Sequence, residues 1–260
     1  METYKFTETV FTGSGKKGVL TPDSDGYYTV VVGGLNTYNS AGEFYTAKGA
    51  LALFEGSSHF MRRIKNGALY AELGHPKKPA GMSMETFYNR VISIEETNIC
   101  GHFSDITLDF NFGKNNPQLN NPELIAIIGK VKPAGAKANA LQLALENPKQ
   151  NSAFSIRGLT ENKYVNGRTE RQLTNIITFD HVTEPGISIA DKVMSPVLEQ
   201  RLARESLVEE LTDIHVDKAM FKKVLNNSLK HVTMESNREI MNDMLRILDR
   251  KERTDKLRQW

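Results

Sequence analysis

Cysteine is nearly absent: Cys100 is the only one in 260 residues. A lone cysteine excludes an internal disulfide and any zinc site built on several thiolates. Its neighbours Ile99 and Gly101 point to a buried strand thiol, not a nucleophile. No apolar run approaches the ~18 residues of a membrane span. The first residues, Met-Glu-Thr-Tyr-Lys, hold no apolar core of the kind a secretory signal needs. Excess charge is lacking too. Lys plus Arg number 33 against 31 Asp plus Glu, a net charge of +2. That balance gives no bulk attraction for nucleic acid or an anionic membrane. The expected setting is a reducing cytoplasm, or something assembled there.

What the chain does contain is the composition of a soluble globular protein, 39% hydrophobic and 25% charged. Its length allows one sizeable core plus an appendage, or two small domains. The segment Tyr27-Tyr28-Thr29-Val30-Val31-Val32 reads as a strand. Gly33-Gly34 closes it and is too sparse for a phosphate loop. Arg62-Arg63-Ile64-Lys65-Asn66 reads as a solvated basic turn. An apolar strand, Ala68 to Leu73, runs into Gly74-His75-Pro76. Pro76 biases His75 toward extended backbone. A histidine at a strand-to-loop junction can project into a cleft and titrate near neutrality.

Cys100 to Phe112 alternates, with Ile106, Leu108, Phe110 and Phe112 on the face of His102. Glu123 to Lys132 is nearly apolar and reads as a central strand; Ala138 to Glu146 reads as a helix stopped by Asn147-Pro148. Then comes Asn151-Ser152-Ala153-Phe154-Ser155-Ile156-Arg157-Gly158. Alternation puts Phe154 and Ile156 on one face, and Ala153, Ser155 and Arg157 on the other. A hydroxyl between a small residue and a cation suits a nucleophile. A polar hairpin with Asn166-Gly167 at its tip returns as the strand Asn175 to Val182. On that strand Asp180 shares a face with Thr178 and Ile176, and His181 takes the other with Phe179 and Ile177. Only one of Asp180 and His181 can face Ser155.

Character changes after about residue 190. Glycine is absent from 187 to the end. Three helical stripes follow: Leu198, Leu202 and Leu211; Met220, Phe221, Val224 and Leu225; and Ile240, Met241, Met244, Leu245 and Leu248. Ser236-x-x-Glu239 reads as the capping box of the third. The expected organisation is a β-rich domain over 1–190 and a helical tail over 191–260, which either caps that domain or docks elsewhere.

Glu72-Leu73-Gly74-His75-Pro76, a helix, Ser155-Ile156-Arg157-Gly158 and then Phe179-Asp180-x-Val182-x-x-Pro185, in that order, resemble the prohead proteases of tailed bacteriophages. This is the capsid-maturation family of T4 type, related in fold to herpesvirus assemblins. The resemblance spans roughly residues 68–186. It implies a mainly β fold with helices (α+β), an assemblin-like β-barrel protease domain followed by the helical tail. It implies a serine endopeptidase with Ser155 as nucleophile, His75 as general base and Asp180 as the residue that orients the imidazole. Assemblins use a second histidine in that place, so His181 is the alternative third member, and His102 a weaker one. Backbone groups near Arg157 and Gly158, with the Arg157 side chain, are the candidates for holding the oxyanion.

The resemblance further implies cleavage after glutamate of phage scaffold, internal and major capsid proteins, in the host cytoplasm inside the assembling procapsid. Ala203-Arg204-Glu205 is such a site within this chain, which makes Glu205 a candidate for self-cleavage and the tail removable. A homodimer is the form assemblin-type enzymes often need. No metal or cofactor is expected, and neither nucleic acid nor membrane as partner. The alternative function is a catalytically inactive assembly protein on the same barrel, because fold alone does not require catalysis.

Overall fold

The computed structural model describes residues 3–7, 19–39, 42–165, 167–183, 186–190, 192–194 and 214–257. In chain order its elements are β1 (Thr3–Thr7), β2 (Tyr28–Leu35), β3 (Thr37–Tyr38), β4 (Phe44–Thr46), α1 (His59–Lys65), β5 (Leu69–Glu72), α2 (Met84–Ile92), β6 (Ile99–Asp109), α3 (Phe112–Asn115), β7 (Ile125–Pro133), α4 (Ala138–Glu146), β8 (Ala153–Val165), β9 (Arg168–Val182), β10 (Ile214–Asp217), α5 (Lys218–Ser228) and α6 (Glu235–Leu257).

The strands form two sheets. One has the order β10-β1-β8-β9-β4-β3, the other β2-β7-β6-β5. All pairings are antiparallel except β4 with β9. The six-stranded sheet packs one face on the four-stranded sheet. There Phe103 of β6 meets Phe154 of β8 and Phe179 of β9 edge-to-face, both at 5.8 Å between ring centres. Its other face is covered by helices. Leu159 and Ile177 share a second core with Phe87, Val91 and Ile92 of α2, Phe221 and Val224 of α5, and Ile240, Met244 and Leu248 of α6.

Several expectations change. The fold is mixed α+β, with helix and strand of comparable extent. Among the described residues the two sheets remain separate, each with its own edge strands, and no closed barrel forms. Arg62 to Lys65 belongs to α1, and Arg63 is buried, not solvated. Its guanidinium donates to the carbonyls of Ile176 (3.3 Å) and Ile177. In β6 a register shift between Phe103 and Asp105 reverses the alternation. Phe103 and Ile106 are therefore both buried, while Phe110 is exposed beyond the strand. A second shift, at Arg157/Gly158 opposite Thr178/Ile176, turns Ile176 into the inter-sheet core, away from Asp180's face. Ser236 lies inside the first turn of α6 and does not cap it. The Met220 and Ile240 stripes are helical, with Phe221, Val224, Leu225, Ile240, Met241, Met244 and Leu248 buried. The Leu198, Leu202 and Leu211 stripe lies outside the described residues.

Candidate active site

The site is built on the helix-covered face of β8 and β9. Ser155 and Asp180 are register partners, so their side chains leave adjacent strands on the same face. Arg157, two residues along, pairs with Thr178 on that face. His75 arrives from the other sheet. Leu73, just beyond β5, forms a parallel bridge with His181. The Gly74 amide donates to the His181 carbonyl at 2.7 Å. Gly74 has φ +76°, a backbone conformation that glycine adopts without penalty. This turn aims the next residue across the end of β9. The Nδ1 of His75 then lies 2.8 Å from Oδ2 of Asp180.

The side chains are deeply set. That of Asp180 is 0% exposed and that of His75 5%; Ser155 is 3% exposed. His75 Nε2, the nitrogen turned from Asp180, is buried and has no hydrogen-bond partner among the described residues. A neutral imidazole that gives its Nδ1 proton to a carboxylate keeps Nε2 as its basic atom. Ser155 Oγ is therefore not hydrogen-bonded to Nε2 in this structure; in resting enzymes such a contact often forms only with substrate.

His181 goes elsewhere. It faces the inter-sheet core, where its ring packs on Phe154 at 5.7 Å and its Nε2 lies 2.9 Å from Ser152 Oγ. Burial pushes its pKa from 6.5 down to about 4. His102 is farther off still, on β6. It lies between the Tyr27 hydroxyl (3.0 Å) and the Gly67 carbonyl (3.0 Å). The thiol of Cys100 is buried. Burial and the nearby Asp180 and Glu72 carboxylates push its pKa up, away from thiolate chemistry.

Of the oxyanion candidates, the Arg157 side chain is turned to other partners. Arg157 is 1% exposed. Its Nε lies 3.0 Å from Asp180 Oδ2 and its Nη2 donates to Asp180 Oδ1 at 3.1 Å. The same Nη2 reaches Glu72 Oε1 at 3.1 Å, and Nη1 donates to the carbonyls of Ser93 (3.2 Å) and Val91 (3.4 Å). A guanidinium so committed to two buried carboxylates is not aimed at a substrate carbonyl. Gly158 sits within the sheet between Thr7 of β1 and Ile176 of β9. A Cβ there would meet the Asn175 carbonyl oxygen at 2.3 Å, so the glycine serves a close approach of strands.

Glu72 is the participant that pattern reading missed. It ends β5 and is 0% exposed. Burial would raise its pKa, but Arg157 and Arg90 outweigh that and hold the carboxyl below its ordinary 4.5. The available signal was a charged residue inside the apolar stretch Leu69 to Leu73. Glu205 lies outside the described residues. Among the described residues no group of three His, Cys, Asp or Glu could hold a metal ion, and no helix is long and apolar enough to cross a membrane.

Comparison with known proteins agrees with the resemblance carried by Glu72–Pro76 and Ser155–Gly158. The model of the Peptidase S80 family matches residues 6–247. The capsid maturation protease of Pseudomonas phage phiKZ is 35% identical over 192 residues, covering 72% of this chain and 68% of the phage protein. No solved structure matches.

Proposed function

The chain belongs to the peptidase S80 family, and we propose that it is a serine endopeptidase of phage capsid maturation, with Ser155, His75 and Asp180 as its catalytic residues. The observation that carries this reading is the 2.8 Å contact of His75 Nδ1 with Asp180, set directly across the sheet register from Ser155. In this reading His75 Nε2 takes the Ser155 proton as Oγ attacks a peptide carbonyl. The Asp180 carboxylate holds the ring tautomer and balances the imidazolium that forms. His75 then returns the proton to the leaving amine.

The substrates in this reading are scaffold, internal and major capsid proteins, cut after glutamate within the assembling procapsid. The phiKZ relative, described as a capsid maturation protease, supports the setting. The chain itself is the further substrate. A cut after Glu205 would separate the β-rich 1–190 region from most of 191–260. The test is co-expression with a scaffold or capsid substrate carrying an Ala-x-Glu segment, with intact masses recorded for substrate and enzyme. Active enzyme should give substrate products and a fragment ending at Glu205, and Ser155→Ala should give neither. Products that persist in Ser155→Ala would overturn the assignment of the nucleophile. An intact tail in both samples would remove the self-cleavage reading alone.

A further inference from the structure

Glu72 and Asp180 form one buried ionic chain with two arginines. Each carboxylate is 0% exposed. An isolated carboxylate so deep carries a large desolvation cost unless a cation is set against it. Arg157 lies between the two carboxylates, and its Nη2 reaches both at 3.1 Å. Glu72 in turn accepts from Arg90 with both oxygens, from the Glu95 amide at 2.8 Å and from Asn98 Nδ2 at 3.1 Å. Two buried carboxylates thus stand against two guanidiniums, of which Arg90 also meets the half-exposed Glu95 carboxylate at 3.0 Å.

The chain also closes on itself. Glu72 precedes His75 by three residues on the same strand end. The path from Glu72 through Arg157 and Asp180 to His75 Nδ1 is completed by the backbone of Leu73 and Gly74. That backbone is fixed at both residues: the Leu73 amide donates to the Asn98 carbonyl at 3.1 Å, and the Gly74 amide to His181. Rotating the imidazole away from Asp180 leaves this ring of contacts broken at one link. Displacing Glu72 shifts both the segment that carries His75 and the guanidinium that sets Asp180.

We propose that Glu72 and Arg157 are positioning residues of the reaction. Glu72 anchors the Arg157 guanidinium, and Arg157 fixes the Asp180 carboxylate that His75 Nδ1 contacts. This rests on the serine-peptidase reading above. It adds that the glutamate beginning the Glu-Leu-Gly-His-Pro segment acts through Asp180 and does not touch substrate.

The test compares Glu72→Gln, Arg157→Lys, their double variant and Arg168→Gln, which breaks a salt bridge at the far end of β9. Cleavage of a peptide with the Ala-x-Glu pattern gives kcat and KM separately. The proton resonance of the His75 Nδ1–H bond to Asp180 and thermal unfolding are recorded on the same samples. Misplacing a reacting group by about 1 Å costs about 10²-fold, so Glu72→Gln and Arg157→Lys should each lower kcat by that order. KM should stay unchanged, and the His75 resonance should shift or broaden. The double variant should be little worse than either single one, because both act through the same carboxylate. Arg168→Gln should match the wild type. A Glu72→Gln enzyme that is folded, with wild-type kcat and an unmoved resonance, overturns the proposal while Ser155→Ala still decides the peptidase reading. Losses that merely follow the folded fraction, or that multiply in the double variant, overturn it as well.

Discussion

Asp180 and His181 are neighbours in sequence and leave β9 on opposite faces. One meets His75 at 2.8 Å; the other meets Ser152 in the core between the sheets. The two therefore separate under mutation. Asp180→Asn should reduce kcat by about 10⁴-fold, the order seen when a triad carboxylate is neutralised. His181→Ala should leave activity per folded molecule near that of the wild type while lowering the unfolding temperature. Loss of cleavage in His181→Ala alone would reverse the assignment. His181 should be visible in stability instead. Burial holds its folded pKa at about 4 against 6.5. As pH falls below about 6.5 the unfolded chain binds this proton first, so the folded state loses ground until about pH 4. The gap corresponds to roughly 3 kcal/mol. Urea unfolding from pH 7 to 4 should show a loss larger by that order in the wild type than in His181→Phe. The lowered carboxyl of Glu72 acts with the same sign in a lower window, losing its contribution only as pH falls from about 4.5.

At the scale of elements, the unbroken register of Ala153–Arg157 against Thr178–Val182 places the site, with Ser155, Arg157 and Asp180 on the helix-facing surface. The shift just beyond it turns Ile176 into the inter-sheet core beside Phe179. Gly158 permits it, since any side chain would press on the Asn175 carbonyl. Gly158→Ala should cost about 1–3 kcal/mol, the range for overpacking a tight interior. Arg157 lies next to that shift, so activity per folded molecule should fall too. Denaturant unfolding and an assay at matched folded fraction would separate the two effects. A neutral Gly158→Ala would mean that the strands part without consequence. The turn at Gly74 is the complementary device, since it carries His75 from the edge of one sheet to the end of a strand in the other.

For the whole molecule, the C-terminal helices matter because they meet the site's supports. Asn237 of α6 clamps Ile94 from both sides: its Oδ1 accepts from the Ile94 amide at 2.6 Å, and its Nδ2 donates to the Ile94 carbonyl at 3.0 Å. The neighbouring Ser93 carbonyl and Glu95 amide bind Arg157 and Glu72. Asn237→Ala strands two backbone groups at a buried position. About 1–3 kcal/mol for a group left unsatisfied should appear as a lower urea midpoint. A fall in kcat should accompany it, because the 93–95 segment loses its tie to α6. Unchanged stability and rate would show that α6 and the site are independent. The same contacts bear on self-cleavage: a tail cut after Glu205 would still be held by the core that α5 and α6 share with α2.

The sequence by itself determined the strands β2 and β5 to β9, the helical stripes of α5 and α6, and the order of the motifs that marks the family. These follow from alternation, helical periodicity and the local chemistry around His75 and Ser155, which neighbouring residues express wherever the chain folds. It also placed Asp180 and His181 on opposite faces, because a strand's period is two. Only the tertiary structure decided which face was Ser155's, since that depends on pairing β8 with β9. The same holds for the separate sheets in place of a barrel, the burial of Arg63, and Arg157's commitment to Asp180 and Glu72. Glu72, Arg90, Arg157 and Asp180 are scattered over more than a hundred positions. A charge balance among them exists only once burial removes water and forces each carboxylate to find a cation.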